Sequence, residues 1–245
     1  METGDLVRLH LEGGVGEVVL NRPEKRNALN DAMVAQLADR IDRAEAAGVR
    51  ALVLRGEGKG FSAGRDLAEA DPANDDPYAI LSKVLNPLLA RIAGFPAPTF
   101  AAVQGPCLGL GLGLAFACDV VYAAHDARIG SPFGAIGAVL DSGGHHYFVD
   151  RLGAHRALEL IYTGRLLSGE QAEAWGLVNR SVEADELLDV VRALARKVAA
   201  GPTRALLISK QIVRGIVDSS WGFPEVLEAE AKAQAEASRT HDYQE

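Results

Sequence analysis

Hydrophobic and polar residues alternate at the start of the chain and then change to a helical spacing. Residues 7–13 (VRLHLEG) and 16–21 (GEVVLN) alternate around a pair of glycines, a pattern that predicts a β-hairpin. From about residue 31 to residue 47, apolar positions recur every three or four residues, which predicts an amphipathic helix. We expect Asn30 to cap the first turn of this helix and Gly48 to end it.

Strand and helix patterns continue to alternate through the middle of the chain. Short apolar runs at 51–56, 99–105 and 120–124 predict buried strands. An apolar stripe from Ile80 to Leu89 and the segment 110–119 (LGLGLAFACD) predict helices between them. Strands that alternate with helices in this way predict an α/β fold with mostly parallel crossover connections.

In the last part of the chain, the pattern of hydrophobic and polar residues predicts helices only. Amphipathic segments follow one another at 186–200, 203–216 and 224–238. We expect this region to pack on the α/β core or on a neighbouring subunit. The chain is therefore divided into an α/β core that carries the site, residues 1–190, and an α-helical region for oligomerisation and pocket cover, residues 191–245.

Composition narrows the possible classes of protein. Of 245 residues, 48% are hydrophobic and 24% are charged, which is ordinary for a globular chain. The net charge of −8 argues against general nucleic-acid binding, which needs a basic face. Two cysteines, Cys107 and Cys118, lie inside an apolar run, and the N-terminus has no signal-peptide pattern. We therefore expect a cytoplasmic protein with free thiols.

A membrane span, a metal site and a dinucleotide site are each disfavoured. The apolar run 107–124 is long enough to resemble a membrane helix, but its glycines and Asp119 argue against one. The pair His145–His146 has no cysteine or acid at metal-ligand spacing, so we expect no metal. The glycine-rich segment has Leu114 where a dinucleotide fingerprint needs glycine.

The segment 60–64 (GFSAG) matches the nucleophile elbow of serine hydrolases. An elbow requires a strand that runs directly into the serine, and here the flexible sequence RGEGKG precedes Ser62. Glycine-rich turns have a second use, because exposed backbone N–H groups at strand ends can hold an oxyanion. Serine hydrolysis therefore stays as an alternative to an oxyanion site formed by this turn and by the segment GLGLG.

Four segments together give a more specific indication. They are NRPEKRNALN (21–30), FSAGRDL (61–67), AAVQGPCLGLGLGLAFACDVVYAAHDARIGSP (101–132) and YTGRLLSGEQAEAWGLVNR (162–180). In order and spacing the chain resembles the enoyl-CoA hydratase/isomerase, or crotonase, family. The resemblance implies a spiral of ββα units with a C-terminal α-helical region, assembled as a homotrimer or a dimer of trimers. It also implies acyl-CoA substrates, with no cofactor beyond the coenzyme A of the substrate.

The resemblance also assigns roles to particular positions. Members of the family hold the thioester oxygen with two backbone N–H groups, which the resemblance places at Ala63 and Leu110. The expected contacts to coenzyme A are Arg26, Lys25 and the backbone around Ala28, Asp66 and Leu67. Fixed dipoles at the thioester oxygen stabilise the enolate that forms when a neighbouring carbon loses a proton.

The acidic residues depart from the pattern of the hydratases that the chain resembles. Those enzymes carry glutamates at the positions of Gly113 and Phe133, and both are absent here. Asp141 remains, at a place where dienoyl-CoA isomerases and the ring-epoxide isomerases of phenylacetyl-CoA degradation carry a catalytic aspartate. We therefore predict an isomerase in which Asp141 moves a proton between two carbons and Phe133 lines the acyl pocket.

Besides serine hydrolysis, three alternatives stay open from the sequence. The first is a hydratase that uses Asp141 and an unassigned partner. The second is a protein that binds acyl-CoA without turning it over. In the third, Asp141 is only the N-cap of a helix that begins in DSGGHHYF. The identity of the acyl group is not predicted, because the pocket depends on the loop at 71–80 and the helix after it, where the resemblance is weakest.

Overall fold

The computed structural model describes residues 4–69, 75–240 and 243, and its centre is a six-stranded sheet. The strand order is β1-β2-β3-β4-β6-β8. The strands of this sheet are β1 (Val7–Glu12), β2 (Val15–Leu20), β3 (Ala51–Gly56), β4 (Thr99–Val103), β6 (Val120–Ala124) and β8 (Arg180–Val182). β1 and β2 pair antiparallel, which confirms the predicted hairpin, and every later pair in the sheet is parallel.

A second, two-stranded sheet lies beside the first and was not predicted. Its strands are β5 (Pro106–Leu108) and β7 (Arg128–Gly130), which pair in parallel. An isolated parallel bridge between Ser62 and Cys107 joins the FSAG turn to this small sheet. Strands of three residues are too short to show a period of two, so sequence pattern could not reveal them.

Ten α-helices surround the two sheets in the part of the chain that the structure describes. They are α1 (Asp31–Ala46), α2 (Pro77–Ile80), α3 (Asn86–Ala93), α4 (Leu110–Ala117), α5 (Gly144–Leu152), α6 (Ala154–Thr163), α7 (Gly169–Ala174), α8 (Leu187–Ala199), α9 (Thr203–Ser219) and α10 (Phe223–Ala237). The Asn30 side chain accepts a hydrogen bond from the Met33 N–H at 2.9 Å, which confirms the predicted cap of α1. Residues 71–74 of the segment left open above lie outside the described residues.

The predicted helix around Ile80 to Leu89 is divided by a π-helical turn. This turn, Leu81–Leu85, joins α2 to α3 immediately before Pro87. Proline has no N–H to donate to the preceding turn, so a wider turn at this place accommodates it. The apolar stripe is still directed inward, because Leu85, Leu88 and Leu89 are buried.

The C-terminal helices form as predicted, and the first of them belongs to the core. α8 packs across β3, β4 and β6, while α10 packs against α9. The predicted boundary at residue 190 falls inside α8, and the division into two domains stays a prediction. Lys210 fastens α9 to the sheet, because its Nζ lies 2.8 Å from Asp119 Oδ2 and donates to the Phe95 carbonyl oxygen at 3.1 Å.

The long apolar run of the sequence is divided among three elements. Residues 107–124 fall into β5, the eight-residue helix α4 and β6, so the run forms part of the core. Nowhere in the described ranges is a helix both long enough and apolar enough to cross a bilayer. The glycines at positions 109, 111 and 113 allow α4 to pack closely against its neighbours, which places its N-terminus beside the FSAG turn.

Candidate active site

The first two segments of the resemblance meet in a short parallel bridge. The Leu29 N–H donates to the Gly64 carbonyl oxygen at 2.7 Å, and the Asp66 N–H donates to the Leu29 carbonyl oxygen at 2.9 Å. In this pairing, Leu29 bonds to the residues on either side of Arg65. The N–H of Arg65 itself is therefore directed to the opposite side, away from Leu29.

The predicted oxyanion donor at Ala63 requires a correction. The Ala63 N–H donates to the Arg26 carbonyl oxygen at 2.9 Å, so it is already used inside the protein. Arg65, two residues later, has the backbone orientation that Ala63 was expected to have. The resemblance assigned this donor to Ala63, and only the hydrogen bonds of the folded turn show that the Ala63 N–H is used while the Arg65 N–H has no acceptor among the described residues.

Arg65 and Leu110 line the same pocket. Within the described ranges neither N–H has a hydrogen-bond acceptor, and both residues line a mostly apolar pocket of about 300 Å³. A Cβ placed on Gly64 would lie 3.7 Å from the Leu110 nitrogen, so the turn and the start of α4 are in close contact. Leu110 is the first residue of α4, where backbone donors are unsatisfied and the helix dipole favours negative charge.

Ser62 is a structural residue in this turn. Its side chain is fully buried, its hydroxyl donates to the Asn27 carbonyl oxygen at 2.9 Å, and it accepts from the Gly64 N–H at 3.1 Å. A hydroxyl that is buried and held in this way cannot reach a substrate carbonyl. The serine hydrolase alternative is therefore wrong for this chain.

Asn27 organises the backbone behind the pocket, although the sequence analysis gave it no role. This fully buried side chain accepts from the Arg22 N–H at 2.8 Å. Its amide donates to the carbonyl oxygens of Glu57 at 3.0 Å and Gly60 at 2.7 Å. Asn27 therefore ties the first segment to the loop that precedes Phe61. Its place inside the motif NRPEKRNALN was the signal in the sequence that could have identified it.

The Asp66 carboxylate is also used inside the protein. Arg22 is buried, and its Nη1 donates to Asp66 Oδ2 at 2.5 Å and to the Ala28 carbonyl oxygen at 3.2 Å. The hydrogen bond from Arg22 holds the pKa of Asp66 below its usual value. The Asp66 side chain therefore supports the turn, and the backbone at this position is used in the same way, because its N–H donates to Leu29 and its carbonyl oxygen accepts from the Glu69 N–H at 3.3 Å.

The remaining residues predicted to contact coenzyme A lie at the surface near this turn. Lys25, Arg26 and Leu67 are exposed, and Ala28 is half-buried. Arg26 has a left-handed backbone conformation, with φ of +52°, which ends the short 3₁₀ turn before it. Among the described residues neither Lys25 nor Arg26 forms an ion pair within 4.0 Å, although the charge of Lys25 contributes to the lowered pKa of Asp66.

Phe133, which was predicted to line the acyl pocket, lies beside the start of α4. It begins a 3₁₀ helix, Phe133–Ile136, and its half-buried ring packs on the backbone of Gly109. A Cβ on Gly109 would come within 2.9 Å of two ring carbons, and Gly109 also has φ of +50°. Glycine is required there, and the aromatic ring is held one residue before the Leu110 N–H.

Asp141 is half-buried, and it is not a helix cap. Helix α5 begins at Gly144 with Gly143 as its N-cap, and no side chain caps that end. Burial raises the pKa of Asp141 above its usual value, against the opposing effects of a hydrogen bond from Ser142 and the positive charge of Arg65. The Ser142 hydroxyl donates to Asp141 Oδ1 at 2.7 Å. The cap alternative is therefore wrong, and the raised pKa makes this carboxyl group a candidate for proton transfer.

The position of Gly113 connects Asp141 to the oxyanion donors. A Cβ on Gly113 would come within 2.6 Å of both the Cβ and the carbonyl oxygen of Ser142, so the Asp141–Ser142 segment packs directly on this glycine. Gly113 and Leu110 are three residues apart on α4 and therefore share one face. The carboxyl-bearing segment consequently lies within about one helical turn of the Leu110 N–H.

The histidine pair is not part of this arrangement. His145 and His146 are both exposed, and His146 Nε2 lies 3.6 Å from Asp218 Oδ1 on α9. No cluster of three or more metal-ligating side chains occurs in the described part of the chain. The candidate site therefore combines the N–H groups of Arg65 and Leu110, the Phe133 ring on Gly109, and the Asp141 carboxyl group beside Gly113.

Comparison with known proteins shows which proteins the chain is similar to. The family model for enoyl-CoA hydratase/isomerase matches residues 10–245. The 1,2-epoxyphenylacetyl-CoA isomerase of Escherichia coli K12 is 36% identical over 246 residues, which cover 98% of this chain and 93% of the relative. The 2,3-dehydroadipyl-CoA hydratase of the same organism is 35% identical over 198 residues, which cover 80% of this chain and 77% of the relative.

Solved structures of this kind have the same fold. An enoyl-CoA hydratase from Mycobacterium smegmatis superposes with a TM-score of 0.89 at 29% identity, covering 98% of this chain and 93% of the other. An enoyl-CoA hydratase from Thermoplasma volcanium superposes with a TM-score of 0.86 at 30% identity, covering 98% and 95%. The predicted crotonase-like α/β fold with a helical C-terminal region is therefore confirmed.

Proposed function

Because the chain belongs to the enoyl-CoA hydratase/isomerase family, we propose that it is an acyl-CoA isomerase acting on an unsaturated thioester. One observation carries the choice of isomerase over hydratase. Of the positions discussed for a catalytic acid, Gly113 has no space for a side chain and Phe133 is aromatic, while Asp141 is a half-buried carboxyl group. Addition of water needs both a base for the water and an acid for the carbon, whereas a proton shift can use one group for both steps.

In the proposed mechanism, the thioester oxygen accepts hydrogen bonds from the N–H groups of Arg65 and Leu110. The bridge to Leu29 leaves the Arg65 donor on the pocket side, and the start of α4 supplies the second donor. As a neighbouring carbon loses a proton, negative charge develops on this oxygen. Two fixed donors at that point lower the barrier by several kcal/mol, roughly 3 kcal/mol for each donor in comparable sites.

Asp141 performs the proton transfer. Its carboxylate takes a proton from the α carbon of a 3-enoyl thioester, and the C–H electron pair enters a dienolate whose charge lies on the thioester oxygen. The protonated Asp141 then returns the proton to the γ carbon, the dienolate collapses, and the double bond lies between the α and β carbons. No proton is gained or lost overall, and the same route in reverse starts at the γ carbon.

The surroundings of Asp141 suit both halves of this cycle. Burial raises its pKa, which brings the acid form closer to working pH. The charge of Arg65 and the hydroxyl of Ser142 act in the opposite direction and keep the base form accessible. A group that must first take and then give a proton is most effective when neither form is strongly favoured.

Three further statements belong to this proposal. Arg26 and Lys25 would meet the phosphates of coenzyme A, with the backbone near Ala28, Asp66 and Leu67 beside the rest of that group. The protein would work in the cytoplasm as a homotrimer or a dimer of trimers, and exposed apolar side chains on the C-terminal helices support the assembly. These side chains include Val213, Ile216, Phe223 and Leu227. The relationship to a 1,2-epoxyphenylacetyl-CoA isomerase supports a role in phenylacetate degradation, including a ring rearrangement.

A panel of acyl-CoA thioesters tests the proposal. The purified protein is incubated with 3-enoyl-CoA, 2-enoyl-CoA, dienoyl-CoA and ring-epoxide substrates, and the products are identified by mass and NMR. We expect an isomer of unchanged mass from at least one of them. Efficient hydration of 2-enoyl-CoA without isomerisation would favour a hydratase, and binding without any product would favour a non-catalytic acyl-CoA-binding protein.

A further inference from the structure

Ser142 has a backbone conformation that serine rarely adopts. Its φ is +55°, in the left-handed region, and the next residue, Gly143, has φ of +79° and ψ of +3°. The Gly144 N–H donates to the Asp141 carbonyl oxygen at 2.9 Å and closes a four-residue turn. Two left-handed central residues define a type I′ turn, in which glycine, asparagine or aspartate is preferred at the place that Ser142 occupies.

The turn brings two neighbouring side chains onto the same side. Adjacent side chains in an extended strand point to opposite faces, so the Ser142 hydroxyl could not reach Asp141 there. In this turn the hydroxyl donates to Asp141 Oδ1 at 2.7 Å, and the Ser142 side chain is buried. No other described group donates a hydrogen bond to this carboxylate, so Oδ2 is left open for the proton.

The surrounding structure holds Ser142 in place. The absence of a side chain at Gly113 lets the Cβ and carbonyl oxygen of Ser142 lie directly against α4. On the far side of the turn, the Tyr147 ring packs against Gly143, where a Cβ would come within 2.9 Å of a ring carbon. Strain that persists because its surroundings enforce it is often found at functional sites.

From this geometry we propose that Ser142 is a positioning residue, which fixes the Asp141 carboxylate through Oδ1 and directs Oδ2 toward the substrate carbon. The proposal rests on the proposed isomerase function. The charged group of the described structure that acts on Asp141 is Arg65, which is itself paired with Asp75 at 3.7 Å. Ser142 supplies a neutral donor that leaves the net charge of the site unchanged.

The test uses Ser142→Gly and Ser142→Ala. Glycine is favoured at this φ, so Ser142→Gly removes the hydroxyl without adding strain, whereas Ser142→Ala removes it and keeps the strain. Both variants should lower kcat about tenfold with KM little changed, since a hydrogen bond to a charged group is lost. Both should also move the acid limb of the pH–rate profile to higher pH, because the hydroxyl favours the charged form.

Ser220→Gly is the matched control. Ser220 also has a left-handed backbone, with φ of +53°, but it is exposed at the end of α9 and does not contact Asp141. We expect this variant to keep the kcat and the pH profile of the parent. A Ser142→Gly variant with the parent's kcat and acid limb would overturn the proposal and leave Ser142 as a turn residue only.

A second measurement does not depend on catalysis. The Asp141 carboxyl carbon, observed by ¹³C NMR in aspartate-labelled protein and assigned with Asp141→Asn, should titrate at higher pH in Ser142→Gly than in the parent. Equal titration midpoints would overturn the proposal. If the parent isomerises nothing, the proposed function fails, and this titration still decides whether Ser142 acts on Asp141.

Discussion

A single added methyl group at Gly113 tests the packing on which the choice of isomerase rests. Gly113 lies in α4, where alanine would ordinarily improve the helix by about 1 kcal/mol. Here the new Cβ would come within 2.6 Å of both the Cβ and the carbonyl oxygen of Ser142. Carbon atoms normally pack at about 3.5–4.0 Å, so the Asp141–Ser142 segment would have to move by about 1 Å.

The expected change in the unfolding free energy of Gly113→Ala follows from these opposing effects. Overpacking of this kind costs roughly 1–3 kcal/mol, which exceeds the gain in helix propensity. We expect Gly113→Ala to lose about 1 kcal/mol of unfolding free energy, or about 2–4 °C in Tm for a chain of this length. The effect on catalysis should be larger, because a displacement of about 1 Å in a catalytic group can cost about 100-fold in rate.

The assay combines thermal unfolding with the rate of isomerisation. Gly201→Ala serves as the control, because its added Cβ would lie 3.4 Å from the nearest atom, the Val198 carbonyl oxygen, and far from the site in sequence. This variant should keep the parent's rate. If Gly113→Ala were as stable and as active as the parent, the space at Gly113 would be larger than the structure indicates. Lack of space at position 113 would then no longer explain why Asp141 is without a second carboxylate beside it.

Other predictions follow from the pKa shifts and from burial. Burial raises the pKa of Asp141, and only the base form of Asp141 can take a proton from the substrate. The acid limb of the pH profile of kcat/KM should therefore have its midpoint above the ordinary pKa range of aspartate. This limb should disappear in Asp141→Asn. Asp66→Asn should lower the unfolding free energy by about 2 kcal/mol at neutral pH, measured by urea denaturation, because buried Arg22 loses its shortest charged hydrogen bond while Glu24 and Glu69 stay within 4.0 Å. Folding lowers the pKa of Asp66, so the stability that its carboxylate contributes is fully present above the unfolded-state pKa. The difference in unfolding free energy between parent and variant should therefore shrink as pH falls through the folded-state pKa of Asp66. A difference that stays constant with pH would contradict this prediction. Burial raises the pKa of Cys118 to about 12 and that of Cys107 further. Neither thiol should therefore react with a thiol reagent at pH 8 until the protein is unfolded. Rapid labelling of the folded protein would contradict this prediction.

The strands and helices with clear periodicity could be read from the sequence. The hairpin, the cap of α1 at Asn30 and the three C-terminal helices all have the predicted kind of structure. The short strands β5 and β7 could not be predicted, because three residues contain too little pattern and their pairing depends on Ser62 and Leu167, which are distant in sequence. Local periodicity identifies elements, whereas the pairing of short strands is decided by the tertiary structure.

In the candidate site, too, some features could be predicted from the local sequence and others depend on the tertiary structure. The glycine-rich start of α4 and the acid at position 141 were identifiable, because their residue types are unusual in their surroundings. The choice between Ala63 and Arg65 as donor was not, since it depends on which N–H groups the bridge to Leu29 and the Arg26 carbonyl oxygen use. The left-handed turn at Ser142 was equally hidden, because serine gives no sign of that conformation in the sequence.

The central claim is that Asp141 moves a proton between two carbons of an acyl-CoA. The most direct measurement is the rate at which the parent and Asp141→Asn convert a 3-enoyl-CoA to its 2-enoyl isomer, followed by NMR at saturating substrate. Asparagine has nearly the same shape and cannot take the proton, so we expect kcat to fall by about 10²–10⁴-fold while KM changes little. An Asp141→Asn variant that isomerises the substrate as fast as the parent would contradict the account.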